Sequence, residues 1–282
     1  MAFGQRLINT GGGGGILSGS LENATQIAVT TLPSPVNSYG IHISDDGTKF
    51  MVFTANALLE YNLTTAYDIT TAAYVNQVVT SDYTLLYSNI MFDPTGTSLQ
   101  YAVIYSGSNY IVRRTLGSPY DLSTISGETL YGALPQTDTY SFAVGFSRDG
   151  TTVSTYAQTW SGYQKMLRIH NLNTPYNITA GYTQTHYISN FSQDSFTTNS
   201  VQATQMQFNS DGTKMYIQQR NGPLYQFDLA SAYNPVGATY SGFSASTPSI
   251  VNECCVTFSA DYRYLYIGGY SSAGVIAQIQ LF

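Results

Sequence analysis

Phe208-Asn209-Ser210-Asp211-Gly212-Thr213-Lys214-Met215-Tyr216 reads as the end of an apolar strand, a tight polar turn and the start of a second strand. Asp and Asn cap local amides in such turns, and Gly supplies the positive φ they require. The phrase recurs as Ile43-Ser44-Asp45-Asp46-Gly47-Thr48-Lys49-Phe50 and as Phe92-Asp93-Pro94-Thr95-Gly96-Thr97. It returns as Phe146-Ser147-Arg148-Asp149-Gly150-Thr151 and as Phe258-Ser259-Ala260-Asp261-Tyr262-Arg263-Tyr264. Counted at the glycine position, the units step from 47 to 96, 150, 212 and 262. A hairpin signal repeated five times at this interval marks a repeat architecture. In the fifth copy Tyr262 stands where glycine is expected, so the residue pattern leaves that turn's geometry open.

Downstream of each hairpin the sequence predicts a third strand and a second shared phrase. Its clearest copy is Tyr61-Asn62-Leu63-Thr64-Thr65-Ala66-Tyr67-Asp68-Ile69-Thr70, followed by Thr115 to Thr124, Asn171 to Thr179 and a looser Asp228 to Pro235. A β-prone stretch such as Ala73 to Val79 then supplies a fourth strand. Four antiparallel strands in roughly fifty residues is the size of a propeller blade. The fifth unit reaches only its third strand, Ile276 to Phe282, whereas Leu21 to Thr30 precedes the first hairpin at the distance of a fourth strand. The expected fold is therefore all-β: a five-bladed β-propeller of four-stranded antiparallel blades, closed by an N-terminal strand that completes the last blade and removes a free edge.

Composition agrees with that class. Charged residues are 9% of the chain, against about 25% in an average protein, and there are 25 tyrosines beside a single tryptophan. The net charge is −6 with only ten Lys and Arg, so nucleic acid is not an expected partner. No run of about 18 apolar residues predicts a membrane span, and Met1 to Thr10 lacks the apolar stretch of about 7–15 residues found in signal peptides, so synthesis in the cytoplasm is expected. Cys254 and Cys255 are neighbours on a predicted inner strand and read as buried thiols, not as a bridge.

Signals for catalysis are few. His42, His170 and His186 fall in different units without metal-ligand spacing, and His42, between Ile41 and Ile43, reads as a core histidine with its hydrogen bonds satisfied. The sialidase Asp-box places its glycine and tryptophan differently, and Trp160 alone does not supply the blade tryptophans of quinone-dependent propellers. No nucleophile elbow or phosphate-binding loop is present. No catalytic residue, metal site or cofactor is expected. Tyr163, Tyr182, Tyr187 and Tyr240 are the candidates for a surface contact with sugar or protein. A long connection between Tyr187 and Met206 reads as an insertion on one face.

The phrases Phe-Ser-x-Asp-Gly-Thr-Lys-x-Tyr and Leu-x-x-x-Tyr-Asp-Ile-Ser-Thr resemble propeller repeats common in bacteriophage structural proteins and related bacterial surface proteins. The resemblance covers residues 16–282. The opening Phe3-Gly4-Gln5-Arg6-Leu7-Ile8-Asn9, followed by Gly11 to Gly15, resembles the virion-anchoring start of tail, fibre or decoration proteins. It implies two parts, a Gly-rich arm over residues 1–15 and a propeller over 16–282. It further implies a non-enzymatic virion protein, docked through Phe3, Arg6, Leu7 and Ile8 on capsid or tail subunits, with the propeller as a knob for decoration or host contact. A carbohydrate-binding propeller that takes a host-surface glycan is the alternative, and a second copy of the chain is a further candidate partner.

Overall fold

The computed structural model describes residues 21, 24–33, 37–80, 84–85, 90–105, 108–131, 139–159, 165–189, 203–219, 222–245, 253–269 and 274–281. The chain enters with β1 (Thr25–Thr31), whose sheet lies at the far end of the sequence. Blade 1 is β2 (Gly40–Ile43), β3 (Lys49–Phe53), β4 (Ala57–Leu63) and β5 (Ala72–Val79). Blade 2 has its first strand split into β6 (Thr84–Leu85) and β7 (Met91–Phe92), both paired with β8 (Ser98–Tyr105), and continues through β9 (Ser108–Leu116) and β10 (Ile125–Tyr131). Blade 3 is β11 (Thr139–Phe146), β12 (Thr152–Thr159), β13 (Lys165–Thr174) and β14 (Asn177–Ser189). Blade 4 follows with β15 (Ala203–Phe208), β16 (Lys214–Gln219), β17 (Leu224–Asp228) and β18 (Thr239–Ala245). Blade 5 is β19 (Glu253–Phe258), β20 (Tyr264–Gly269) and β21 (Val275–Gln280), with β1 as its outer strand.

The closure is an antiparallel ladder running from Thr25 opposite Gln280 to Thr31 opposite Val275. Five sheets in a ring make a five-bladed β-propeller, as the repeat predicts. The described core divides into five clusters, each shared between two neighbouring blades, and the cluster of Ile41, Phe50 and Leu59 with Tyr266 and Ile276 joins the first blade to the last. Burying each such side chain contributes about 1.5–3 kcal/mol, and all of that apolar surface lies between sheets, so no blade has a complete core by itself. Cys255 belongs to the same junction and is buried, its sulfur 3.8 Å from the Ser38 carbonyl oxygen. The outer strands β1 and β5 alternate between exposed and half-buried residues, as expected at a wet rim.

Two local devices repeat with the blades. In the first, the turn Asp accepts from the amide two residues on: Asp46 from Thr48 at 3.0 Å, Asp149 from Thr151 at 3.0 Å, Asp211 from Thr213 at 2.9 Å and Asp261 from Arg263 at 3.1 Å. Blade 2 exchanges the two polar positions: Asp93 sits where the others have Ser or Asn and accepts from both Thr97 and Ser98 at 2.9 Å, and Thr95 takes the Asp place. In the second device, an apolar residue after the third strand gives its amide to a buried acceptor on the preceding blade. Ile69 donates to Gln278 at 3.2 Å, Leu122 to Glu60 at 2.9 Å and Leu21 to Gln226 at 2.9 Å. Blade 4 has Pro235 at this place, without an N–H, and the preceding blade offers Ile169, without an acceptor. Donor and acceptor are missing together, so this junction orphans neither.

Tyr262 resolves the departure of the fifth repeat. In blades 2 to 4 a Phe at the end of the innermost strand packs on the tyrosine after the third strand: Phe92 on Tyr120 at 5.0 Å, Phe146 on Tyr176 at 5.9 Å and Phe208 on Tyr233 at 5.5 Å. Each ring lies over the turn glycine; a Cβ on Gly150 would come within 2.2 Å of Tyr176. In blade 5 Tyr262 occupies the glycine position itself, with φ 57°, and packs on Phe258 at 5.4 Å. The same Phe–Tyr pair is thus supplied from the other side of the turn.

Candidate functional site

The innermost strands bring the five hairpin turns to one end of the ring axis, around a cavity of about 140 Å³. Within each turn the positions that hold the turn are constrained by its hydrogen bonds and its positive φ. The residue between them is free to vary, and it is Asp45, Pro94, Arg148, Ser210 and Ala260 in successive blades. Of these, Asp45, Pro94, Arg148 and Ala260 line the cavity. The chemical identity of the mouth is set by a position that the fold leaves open.

Arg148 lies across the mouth. Its Nη1 donates to the Ala260 carbonyl of blade 5 at 2.8 Å, and its Nη2 is 3.9 Å from Asp45 Oδ2 of blade 1. Burial raises the Asp45 carboxyl above the usual carboxylate range, Arg148 opposes that shift, and the neighbouring Asp46 adds to it. The turn acids behave differently. Burial works to raise Asp46, Asp149 and Asp211, but hydrogen bonds from their own turns outweigh it and hold all three below the ordinary value. They are charged, and their Oδ1 atoms are engaged by the turn.

Beneath the mouth the walls are aromatic and apolar, with Phe92, Tyr120, Phe146, Tyr176, Phe258 and Tyr262 among the lining residues. Burial pushes the hydroxyls of Tyr120, Tyr176 and Tyr262 up, so these rings are neutral phenols, and Tyr262 donates to the Phe208 carbonyl at 2.7 Å. His42 also lines the cavity, its ring 4.8 Å from Phe92 and 6.1 Å from Tyr120. It is hydrogen-bonded to the Ile90 backbone, but its Nε2 has no partner, in contrast to the fully satisfied core histidine that the sequence suggests. Desolvation drives its pKa down to about 3, so the ring is a neutral imidazole.

Of the sequence-derived candidates, Tyr182, Tyr187 and Tyr240 fall among the described residues. Phe3, Arg6, Leu7, Ile8, Tyr163 and the central part of the insertion between Tyr187 and Met206 fall outside the described residues. Tyr187 is on β14, opposite Arg168. Tyr182 is half-buried on the same strand with its ring 4.9 Å from His170, and Tyr240 is half-buried on β18 against Tyr225 and Phe227 at 6.0 and 5.9 Å. Neither Tyr182 nor Tyr240 lines the axial cavity. Arg148 and Asp45 were missed because they look like filler inside a turn motif; variation at one place in an otherwise uniform turn is the signal that marks them. Among the described residues no group of His, Cys, Asp and Glu has the geometry to hold a metal ion, and no helix is long and apolar enough to cross a membrane.

No protein-family model and no curated protein matches the chain. Among solved structures it is similar to one described as the iodide structure of the Trichoderma reesei Carbohydrate-Active Enzymes Family AA12, at 14% identity and a TM-score of 0.47, over 86% of this chain and 80% of that one. A likeness of that extent carries no argument about function.

Proposed function

We propose that the chain is a non-enzymatic structural protein of a bacteriophage virion, docked on capsid or tail through residues 1–15 and presenting the propeller as a rigid knob for decoration or host contact. The observation that carries the non-enzymatic part is the use of the acids at the axial mouth. Asp93 spends both carboxylate oxygens on its turn, Asp46, Asp149 and Asp211 are each committed to theirs through Oδ1, and Asp45 faces Arg148. A hydrolytic pair needs two carboxyl groups with separate protonation states and free access to substrate, and this arrangement leaves one acid, Asp45, without a turn to hold. The virion part rests on the sequence resemblance. A ring whose apolar surface lies between blades is consistent with a knob that survives outside the cell without disulfides.

The test is cosedimentation of the full-length protein, and of a form lacking residues 1–15, with purified phage capsids and tails. Binding by the full-length form alone supports docking through the arm. Equal binding by both would place the docking surface on the propeller. Binding by neither, together with saturable binding on a glycan array, would replace the virion reading with a carbohydrate-binding module.

A further inference from the structure

The hairpin turns place Asp45, Asp46, Asp93, Asp149, Asp211 and Asp261 at one end of the ring, and among the described residues Arg148 is the one Lys or Arg that lines the cavity there. Their field crosses the mouth: Tyr262 of blade 5 feels Asp211 of blade 4 and Asp45 of blade 1, and Tyr176 of blade 3 feels Asp93 of blade 2 and Asp45. Below this acidic rim stand the stacked or tilted pairs Phe146–Tyr176, Phe92–Tyr120 and Phe258–Tyr262. His42 lines the same cavity, its Nε2 buried and without a partner. Carboxylates concentrate cations, and the faces of aromatic rings attract them once they are desolvated. The cavity already has a resident cation, because the Arg148 guanidinium lies over it.

We propose that the axial mouth is a binding site for a small organic cation, an ammonium group on a lysine side chain or a choline-type headgroup, and that Arg148 is the latch it displaces. The latch is weak by construction. Arg148 and Asp45 are 43% and 47% exposed and 3.9 Å apart, a loose and screened pair, so one hydrogen bond to the Ala260 carbonyl does most of the holding. The cavity, at about 140 Å³, is smaller than the roughly 300 Å³ at which drug-sized pockets begin, and so suits a single headgroup. A neutral sugar is less well served, because the turn acids that would accept its hydroxyls are already engaged. An anion would meet Asp93, which also lines the cavity, besides the Asp45 that faces Arg148. This site does not depend on virion attachment, which cosedimentation reads separately.

The experiment is calorimetric titration of the full-length protein and of Arg148→Gln with choline chloride, with N-acetyl-lysine amide, and with dimethylbutanol, the neutral carbon isostere of choline. Arg148→Gln should bind an ammonium probe about tenfold tighter than the unmodified protein, more weakly as sodium chloride is raised, and the isostere should not bind. Whichever of choline and the lysine amide binds tighter identifies the source of the ammonium group. Equal binding of choline and its isostere would overturn the proposal in favour of a plain apolar hole. No binding by Arg148→Gln with an unchanged circular dichroism spectrum would overturn it outright, as would tighter binding of a neutral monosaccharide. Should Arg148→Gln fail to fold, Arg148→Lys keeps a shorter cation over the mouth and should bind with intermediate affinity; affinity no higher than that of the unmodified protein would then overturn the latch.

Discussion

At the residue scale the turn glycines and the tyrosines above them form one unit. Gly150, at φ 69°, has the Tyr176 ring where a side chain would go. Gly150→Ala combines left-handed strain with overpacking and should destabilise the propeller by about 3 kcal/mol, measured by urea unfolding. Tyr262→Phe removes only the bond to the Phe208 carbonyl and should cost about 1 kcal/mol. His170 gives the clearest pH effect. It is buried, both ring nitrogens lack partners, and desolvation, helped by Arg168, lowers its pKa to about 4. With the folded value below the unfolded one, the unfolded chain binds the proton first. Stability is therefore full above pH ~6.5 and is lost progressively as pH falls toward 4, by about 3 kcal/mol for this group. His42 acts in the same direction, and half-exposed Asp45 opposes it weakly. His170→Phe, which copies Phe227 at the equivalent place in blade 4, should roughly halve the slope of Tm against pH between about 6.5 and 5, His42 supplying the remainder. An unchanged slope would remove His170 from this role.

At the scale of elements, three junctions between blades insert a polar contact into an apolar interface. Glu60 is buried, ion-pairs with Lys49 of its own blade and accepts the Leu122 amide of the next. Gln226 makes the corresponding link to Leu21. Gln226→Leu should leave that buried amide without an acceptor and cost about 1–3 kcal/mol. Faster hydrogen exchange should then be confined to blade 5 and the strand that completes it, and protection lost evenly around the ring would contradict a local link. The exchange of Asp and Thr between two positions in the blade 2 turn shows that the turn demands a set of hydrogen bonds, not a fixed order of residues.

For the whole molecule, the ring is only as stable as its closure. Because each described core cluster is shared by two blades, a ring opened at one junction exposes apolar surface on both sides of the gap. Removing residues 1–31 deletes the outer strand of blade 5 together with the Leu21 anchor, and should yield aggregation or loss of a cooperative transition. Removing residues 1–15 should leave Tm within a degree or two of the full chain, since Leu21 and β1 are retained. A soluble, cooperatively unfolding product from the larger truncation would show that closure through β1 is dispensable.

The repeat of apolar strand, Asp-Gly turn and second strand was enough to determine the blade, the number of blades and the strand that closes the ring. Those features follow from local periodicity and turn chemistry, and from counting residues between Leu21 and Ile43 against Ile69 and Phe92. Tyr262 was legible as an exception but not as a solution, because its ring replaces one that reaches the other turns from 20 to 26 residues downstream, as Tyr67 does over Gly47 and Tyr176 over Gly150. The axial site could not be read in advance. Asp45, Arg148 and Ala260 lie about a hundred residues apart in sequence, and only ring closure brings blades 5, 1 and 3 to a common axis, where a guanidinium on one can reach a carboxylate and a carbonyl on the others.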